Sequence, residues 1–600
     1  MKMKTTLMLL AVGMLASTSL PAVAQHDAVA DSGQNVSIEN YTPVTTEMLA
    51  NPSASDWLMW RGTLNHQGYS PLDKINKENV GDLSIAWARG LESGDMEATP
   101  LVHDGIMFMP QGRGVVQALN ATNGDLIWEY RRSMPSDLAQ YVQLNGITRN
   151  IALHENLVVM ATPDSYMVAL NAKTGAVEWE TQISDYKTDP NWQTSGPIIA
   201  NGKAISGRSC APQGGPDACF IAAHDLSTGE EVWRTHTIPR PGEAGDETWG
   251  NIPYESRWHV GSWITPSYDP ELNMIFAGTS VTSPYTKFIM GSEDPDAEHL
   301  YQTSTLALNA DTGEMVWYQQ HIRDQWDLDH PFERILVDTV IAPSADEVKW
   351  INPNVVPGEE RKVLTGIPGK TGIFYSIDRA TGEFLWARET TYQNVILDID
   401  TSNGRATMNK DLFFTEAGQE HLVCPAAIGG KDWPAGAYSP LTNAIYYPLQ
   451  NLCMNAMALG DEPVVEELGQ VDLAATAAPG TDQLGTVRGI NVETGKELWK
   501  YEQRANTLSL VATGGGLLFG GDMNRRFRAF DQETGDILWE TILGGPVGGF
   551  PMTYEVDGRQ YVAVASGGFL IAGSYLGLTP ELRSNTSANQ LFVFALPEKK

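Results

Sequence analysis

Thr174-Gly175-Ala176-Val177-Glu178-Trp179 decides the fold, because the same pattern returns along the whole chain. It appears as Asn123-Gly124-Asp125-Leu126-Ile127-Trp128 upstream and as Thr228-Gly229-Glu230-Glu231-Val232-Trp233 downstream. Further copies end at Trp317, Trp386, Trp499 and Trp539. A short apolar strand precedes each copy, such as Val168-Ala169-Leu170 or Thr305-Leu306-Ala307-Leu308. Asn or Asp followed by Thr-Gly is a turn signal in which glycine supplies a positive φ. Each copy therefore predicts a β-hairpin with a fixed tryptophan on its outgoing strand. One supersecondary unit repeated in this way predicts a repeat architecture. A four-stranded unit cannot bury both faces alone, so neighbours must stack, and ring closure protects their edges. The expected fold is all-β, a β-propeller with tryptophan-docking repeats. These tryptophans argue architecture, not catalysis.

The tryptophans are spaced by 51, 54, 84, 69, 113 and 40 residues, so the ring is irregular. Long intervals imply long loops, where function usually sits. The 113-residue interval from Trp386 to Trp499 has room for a blade without the motif. We count eight blades, seven with the motif and one degenerate. The apolar strand Gln590-Leu591-Phe592-Val593-Phe594-Ala595-Leu596 is expected to close the ring against a strand near Leu83 to Trp87.

Met1-Lys2-Met3-Lys4, the apolar run from Leu7 to Leu20 and Ala22-Val23-Ala24 read as a secretory signal over residues 1–24. The mature chain, residues 25–600, is then one propeller domain exported to the periplasm. No second apolar run is long enough to span a membrane, so an integral membrane protein is not expected. The formal charge of -33 excludes nucleic acid as a partner, since phosphate attraction needs a basic face. An acidic surface keeps the chain soluble and suits a saline habitat or an ordinary secreted setting alike. Four cysteines in an exported chain suggest two disulfides. Cys210 and Cys219 flank a turn-rich loop that one bridge could staple, and Cys424 would then pair with Cys453. No Cys-x-x-Cys-His is present, so no c-type haem is attached.

Several segments carry a resemblance in order along the chain. They include Gly68-Tyr69-Ser70-Pro71-Leu72, Glu97-Ala98-Thr99-Pro100-Leu101 and Ser267-Tyr268-Asp269-Pro270. The most specific are Asp324-Gln325-Trp326-Asp327-Leu328-Asp329 and Gly369-Lys370-Thr371-Gly372-Ile373-Phe374-Tyr375. The chain resembles the quinoprotein alcohol dehydrogenases, eight-bladed propellers that use pyrroloquinoline quinone (PQQ). The likeness runs from about Asp56 to Leu596. Within the family the chain is most similar to the haem-free sorbose/sorbosone-type branch, on segments such as Tyr254-Glu255-Ser256-Arg257-Trp258. That branch has relatives that oxidise a secondary hydroxyl of the trichothecene deoxynivalenol.

PQQ is a planar ortho-quinone with three carboxylates, and it needs cations, a flat surface and a Lewis acid. The resemblance implies Arg149 and Lys370 as the cations and Trp263 as the floor under the ring. A lone arginine or lysine is ordinarily a solvated surface charge, and the motif context reverses that reading. The resemblance also implies Glu97 and Thr194 as hydrogen-bonding partners of the cofactor, with Asp432, Trp433, Gln450 and Asn451 bordering the quinone. Asp327 matches the catalytic carboxylate, a base for the alcohol proton while the α-hydride passes to the quinone. Asp329 is expected to point the same way along an extended segment and to ligate the metal with Asp327. The metal implied is Ca²⁺, with a lanthanide possible because of Asp329.

The chain departs from methanol-type relatives at three places. Gln143-Leu144 stands where they have an adjacent disulfide above the cofactor. Ser209-Cys210-Ala211-Pro212 replaces the loop with their metal-binding Glu, and Val281 replaces their metal-binding Asn. The implied activity is oxidation of an alcohol, sugar or larger secondary alcohol, with electrons passed to an external acceptor such as a cytochrome c. A non-catalytic propeller scaffold is the alternative; it accounts for the tryptophans but not for Asp327, Arg149 or Lys370.

Overall fold

The computed structural model describes residues 37–144, 146–460 and 470–598. The predicted signal segment 1–24 and the start of the mature chain at Gln25 lie outside them. Among the described residues, eight sheets carry four or five strands, and a two-stranded and a three-stranded sheet are additional. The fold is an all-β propeller with few and short helices.

The repeated motif folds as its chemistry requires. Asn171 opens the turn, with its Oδ1 accepting the Lys173 N–H at 2.9 Å and its carbonyl accepting the Gly175 N–H at 2.8 Å. Gly175 sits at φ 72°, a conformation that costs glycine little. The pairing of Val177–Gln182 with Tyr166–Asn171 then slips by one residue between Val177 and Trp179. Such a bulge goes with a left-handed glycine in the turn.

The same glycine has a second constraint. A Cβ on Gly175 would lie 2.7 Å from the Trp128 ring of the preceding sheet. Trp128 Nε1 also donates to the Ala172 carbonyl at 2.9 Å. Turn and tryptophan are thus two halves of one joint between adjacent sheets. The joint recurs where Trp179 meets Gly229, Trp233 meets Gly313, Trp317 meets Gly382 and Trp499 meets Gly535.

Ring closure follows the expectation. Ser84–Gly90 pairs antiparallel with Gln590–Ala595, so the two ends of the chain share one sheet. Trp87 of that sheet docks on Gly124, and Trp539 donates to the Leu83 carbonyl at 3.1 Å.

Among its described residues, the 113-residue interval holds no extra blade. Its one four-stranded sheet, Ala437–Ser439, Ala444–Gln450, Gly485–Asn491 and Glu497–Gln503, ends in Trp499 itself, and Trp386 packs directly on Gly495. The surplus chain forms the two small sheets, Ile396–Ile399 with Ala406–Met408 and Glu420–Val423 with Leu452–Ala458 and Val471–Ala477. The sheet without the full motif is instead the closing one. Its last two strands come from opposite ends of the chain, so no turn can join them.

Both expected disulfides are present, Cys210–Cys219 and Cys424–Cys453. The second ties the residue after Glu420–Val423 to the strand Leu452–Ala458 across a separation of 29 residues. Removing it with Cys424→Ala and Cys453→Ala together should destabilise the protein by about 2–4 kcal/mol, largely through the unfolded chain. A fall in Tm of the double variant checks this; an unchanged Tm would refute it.

Candidate active site

The functional side chains come from segments at the starts of consecutive sheets. Arg149 precedes Ala152–His154, Thr194 precedes Ile198–Ala200, and Trp263 precedes Ser267–Asp269. Asp327 and Asp329 precede Ile335–Ile341, and Asp432 and Trp433 precede Ala437–Ser439. Lys370 lies in the hairpin between Glu359–Gly366 and Ile373–Asp378. Equivalent positions in successive sheets lie together, so residues far apart in sequence line one cavity of about 200 Å³.

Arg149, Thr194, Trp263, Asp327, Asp329, Lys370, Asp432 and Trp433 all line this cavity. Glu97 lies behind it, fully buried and ion-paired with Arg149. Arg149 Nη1 donates to Thr194 Oγ1 at 2.6 Å, and Thr194 Oγ1 donates to the Trp263 carbonyl at 3.2 Å. The guanidinium carbon lies 5.1 Å from the centroid of Trp263 and 5.7 Å from that of Trp433. Among the described residues, Arg149 Nε, Trp433 Nε1, Trp192 Nε1 and Ser209 Oγ are buried without a hydrogen-bond partner. Buried polar groups are nearly always paired. Two indole faces, a cation and several unpaired polar groups fit a planar polyanion.

Lys370 joins the two candidate carboxylates. Its Nζ donates to Asp327 Oδ1 and to the Asp327 carbonyl, each at 3.0 Å, and lies 3.8 Å from Asp329 Oδ2. Asp329 is further held by the Val281 N–H on Oδ1 at 2.7 Å and by Trp263 Nε1 on Oδ2 at 3.2 Å. Burial pushes the Asp327 carboxyl well above its ordinary range, while Lys370 pulls it back. Burial opposes the charge on Lys370, but Asp327 and Asp329 outweigh it and raise the ammonium.

The extended segment expected through Asp327 is not observed. Asp327 sits at φ 64°, so a left-handed turn and not strand alternation brings it and Asp329 to the same lysine. Asn451 is not among the residues that line the cavity. Its amide donates to the Gln483 carbonyl at 2.8 Å and to Thr486 Oγ1 at 2.9 Å, bracing a turn. Gln450 likewise donates to the Thr507 carbonyl at 2.8 Å.

Sequence reasoning passed over several lining residues. His259, at φ 77°, donates from Nδ1 to the Val281 carbonyl at 3.1 Å. Tyr285 faces Asp327, and burial together with Asp327 and Asp329 pushes its phenol well above the ordinary value. Ile147, Ala427, Ile428, Leu570 and Ile571 add an aliphatic wall beside Leu144. A single Ile or Leu in a loop carries no local pattern that would have found it.

Burial pushes the Glu97 carboxyl up from 4.5 to about 7, further than Arg149 pulls it back. A carboxyl raised in this way keeps its proton in the folded chain where the unfolded chain has lost it. Its contribution to stability is present in full below 4.5 and is lost as the pH rises through about 7. Glu97→Gln should therefore gain stability relative to the unsubstituted apo-protein between pH 5 and pH 8, by up to about 3 kcal/mol. Comparing Tm of the two proteins at both pH values checks this; a constant difference would refute it.

The family model for the β-propeller domain of PQQ glucose/ethanol/alcohol dehydrogenases matches residues 57–395 and 456–562. The chain belongs to the PQQ-dependent alcohol dehydrogenases. This dehydrogenase is thereby an oxidoreductase acting on CH–OH groups. It is 30% identical to quinoprotein alcohol dehydrogenase PedH of Pseudomonas putida over 93% of this chain and 92% of that protein. It is 29% identical to the dehydrogenase subunit of the quinone alcohol dehydrogenase of Komagataeibacter europaeus, over 92% of this chain and 76% of that one. Among solved structures, the quinohemoprotein alcohol dehydrogenase ADHIIG of Pseudomonas putida superposes with a TM-score of 0.81 at 28% identity, covering 94% of this chain and 85% of that one. A europium-containing methanol dehydrogenase also gives 0.81, at 25% identity, covering 92% of this chain and all of that one. No helix among the described residues is long and apolar enough to cross a membrane.

Proposed function

We propose that this dehydrogenase is an exported, periplasmic, eight-bladed enzyme of the sorbose-like, haem-free branch. It binds PQQ and oxidises a hydroxyl to a carbonyl. The observation that carries the proposal is the Asp327–Lys370 pair at 3.0 Å in a cavity walled by Trp263 and Trp433. Bound PQQ would supply the two-electron acceptor for the α-hydride. Arg149 and Lys370 would hold its anionic groups, and Trp263 would lie against its plane. Glu97, ion-paired with Arg149 behind the cavity, would hold that guanidinium toward the cofactor. Asp327 takes the alcohol proton, and Lys370 holds it in place.

Asp327 and Asp329 would hold the metal. Carboxylate oxygens suit Ca²⁺ or a lanthanide, and the europium of the methanol dehydrogenase neighbour supports the second choice. Ca²⁺ takes six to eight oxygens. Among the described residues no group of three or more His, Cys, Asp or Glu side chains could hold a metal. The remaining ligands would come mainly from the cofactor.

The lining also bears on the substrate. Leu144, Ile147, Ala427, Ile428, Leu570 and Ile571 offer no side-chain hydrogen bonds. A polyhydroxylated sugar would leave its hydroxyls unpaired against them. The wall favours an alcohol with a large apolar body, such as a trichothecene secondary alcohol, over a sorbose-like sugar. Electrons would leave to an external acceptor such as a cytochrome c. The test is dye reduction by the apo-protein given PQQ with Ca²⁺ or a lanthanide, against primary alcohols, sugars and bulky secondary alcohols. Reduction with none of them, and no PQQ uptake, would make the propeller a scaffold.

A further inference from the structure

Asp327 occupies a backbone conformation that a residue with a side chain avoids, at φ 64°. The left-handed region costs such a residue about 1–2 kcal/mol, so neighbouring groups must hold it there. Asp324, three residues upstream, is fully buried and is not a lining residue of the cavity. Its Oδ1 accepts the Trp326 N–H at 2.8 Å and its Oδ2 accepts the Leu328 N–H at 2.5 Å. Those two amides flank Asp327, so a single carboxylate brackets the residue on both sides.

The bracket is itself anchored. Trp326 is buried and donates from Nε1 to the Leu412 carbonyl at 3.3 Å, in an apolar cluster that also holds Leu328, Phe413 and Phe332. Lys370, from the hairpin of the next strands, takes hold of Asp327 through both its carbonyl and its Oδ1. A wholly buried carboxyl is costly unless it is hydrogen-bonded. Both oxygens of Asp324 are spent on main-chain amides of one turn, and that turn presents one side chain to the cavity.

We infer that Asp324 is a positioning residue that fixes the direction of the Asp327 carboxylate, an assignment that rests on Asp327 being the base proposed above. Asp324 touches neither substrate nor cofactor and acts only through the turn. Asp324→Asn keeps one acceptor oxygen and loses the other. Asp324→Ala loses both.

Each variant is loaded with PQQ and Ca²⁺, its occupancy is read by absorbance, and turnover per loaded site is measured by dye reduction. The expected result is full occupancy and KM within about twofold of the unsubstituted protein. Turnover should fall roughly tenfold for Asp324→Asn and roughly 10²-fold for Asp324→Ala, the scale of a misplacement near 1 Å. A second arm places Asp324→Asn in an Asp327→Asn background. A residue that acts through Asp327 adds almost nothing there, whereas an independent structural role multiplies the two losses.

Unsubstituted turnover by loaded Asp324→Asn, or multiplied losses in the double variant, would overturn the positioning role alone. If Asp324→Ala does not accumulate as folded protein, the Asn variant and the double variant still decide. An unsubstituted protein that neither takes up PQQ nor reduces dye overturns the functional proposal and this inference with it.

Discussion

Asp327→Asn is expected to lower turnover by roughly 10²–10⁴-fold, the usual loss when a general base is removed. The substitution keeps the shape and one acceptor oxygen but removes the basic charge. Asp327 is the place to look because its carboxylate opens on the cavity while Lys370 grips it at 3.0 Å. Turnover must be measured at saturating PQQ and Ca²⁺, with occupancy checked by absorbance. Lost activity at full occupancy supports the base. Rescue by excess metal would leave Asp327 a ligand only. Near-normal turnover without added metal would transfer the role to another group, with Asp329 the first candidate. Asp329 is already committed to the Val281 N–H and the Trp263 indole, which makes it the poorer base.

Trp263→Ala should weaken PQQ binding by roughly 10–100-fold. Stacking of a planar heterocycle on an aromatic side chain is worth about 1–3 kcal/mol by alanine substitution. Trp263 also has a second effect on the site, since its indole N–H donates to Asp329 and its face lies under the Arg149 guanidinium. Losing it disturbs the proposed metal ligand Asp329 and the proposed cofactor cation Arg149 together. The control is Trp539→Phe, a joint between sheets whose indole donates to the Leu83 carbonyl far from the cavity. Cofactor titration separates the two. Equal affinity of Trp263→Ala and the unsubstituted protein would show that the ring is not a cofactor surface.

The cofactor and metal residues differ in how local their signals are. The proposal for Asp327 rests on Trp326-Asp327-Leu328-Asp329, a stretch whose family resemblance is legible without the fold. Its left-handed backbone could not be found, because nothing in four residues says that Asp324 will be buried and will accept both flanking amides. The partners of Asn451 are set in an equally non-local way. It follows Gln450, whose N–H donates to the Gly430 carbonyl next to the cavity-forming segment, yet its own amide turns to Gln483 and Thr486.

What the sequence by itself determined is the all-β repeat, the closing strand and the disulfides. The repeat depends on constraints felt within a few residues, whereas the closing strand and the Cys424–Cys453 bridge were legible from residue type and apolar pattern although their partners lie 29 residues or more away. The motif glycine must adopt positive φ and must leave room for a tryptophan ring, so it can be nothing else, and its recurrence is legible. The tertiary structure alone decided where the surplus of the long interval goes, how Asp327 is turned, and which aliphatic side chains wall the cavity. Leu144, Ile428 and Leu570 lie 284 and 142 residues apart and carry no pattern of their own. They meet because the starts of the successive sheets converge on one cavity and the closing sheet, made from both ends of the chain, completes the ring.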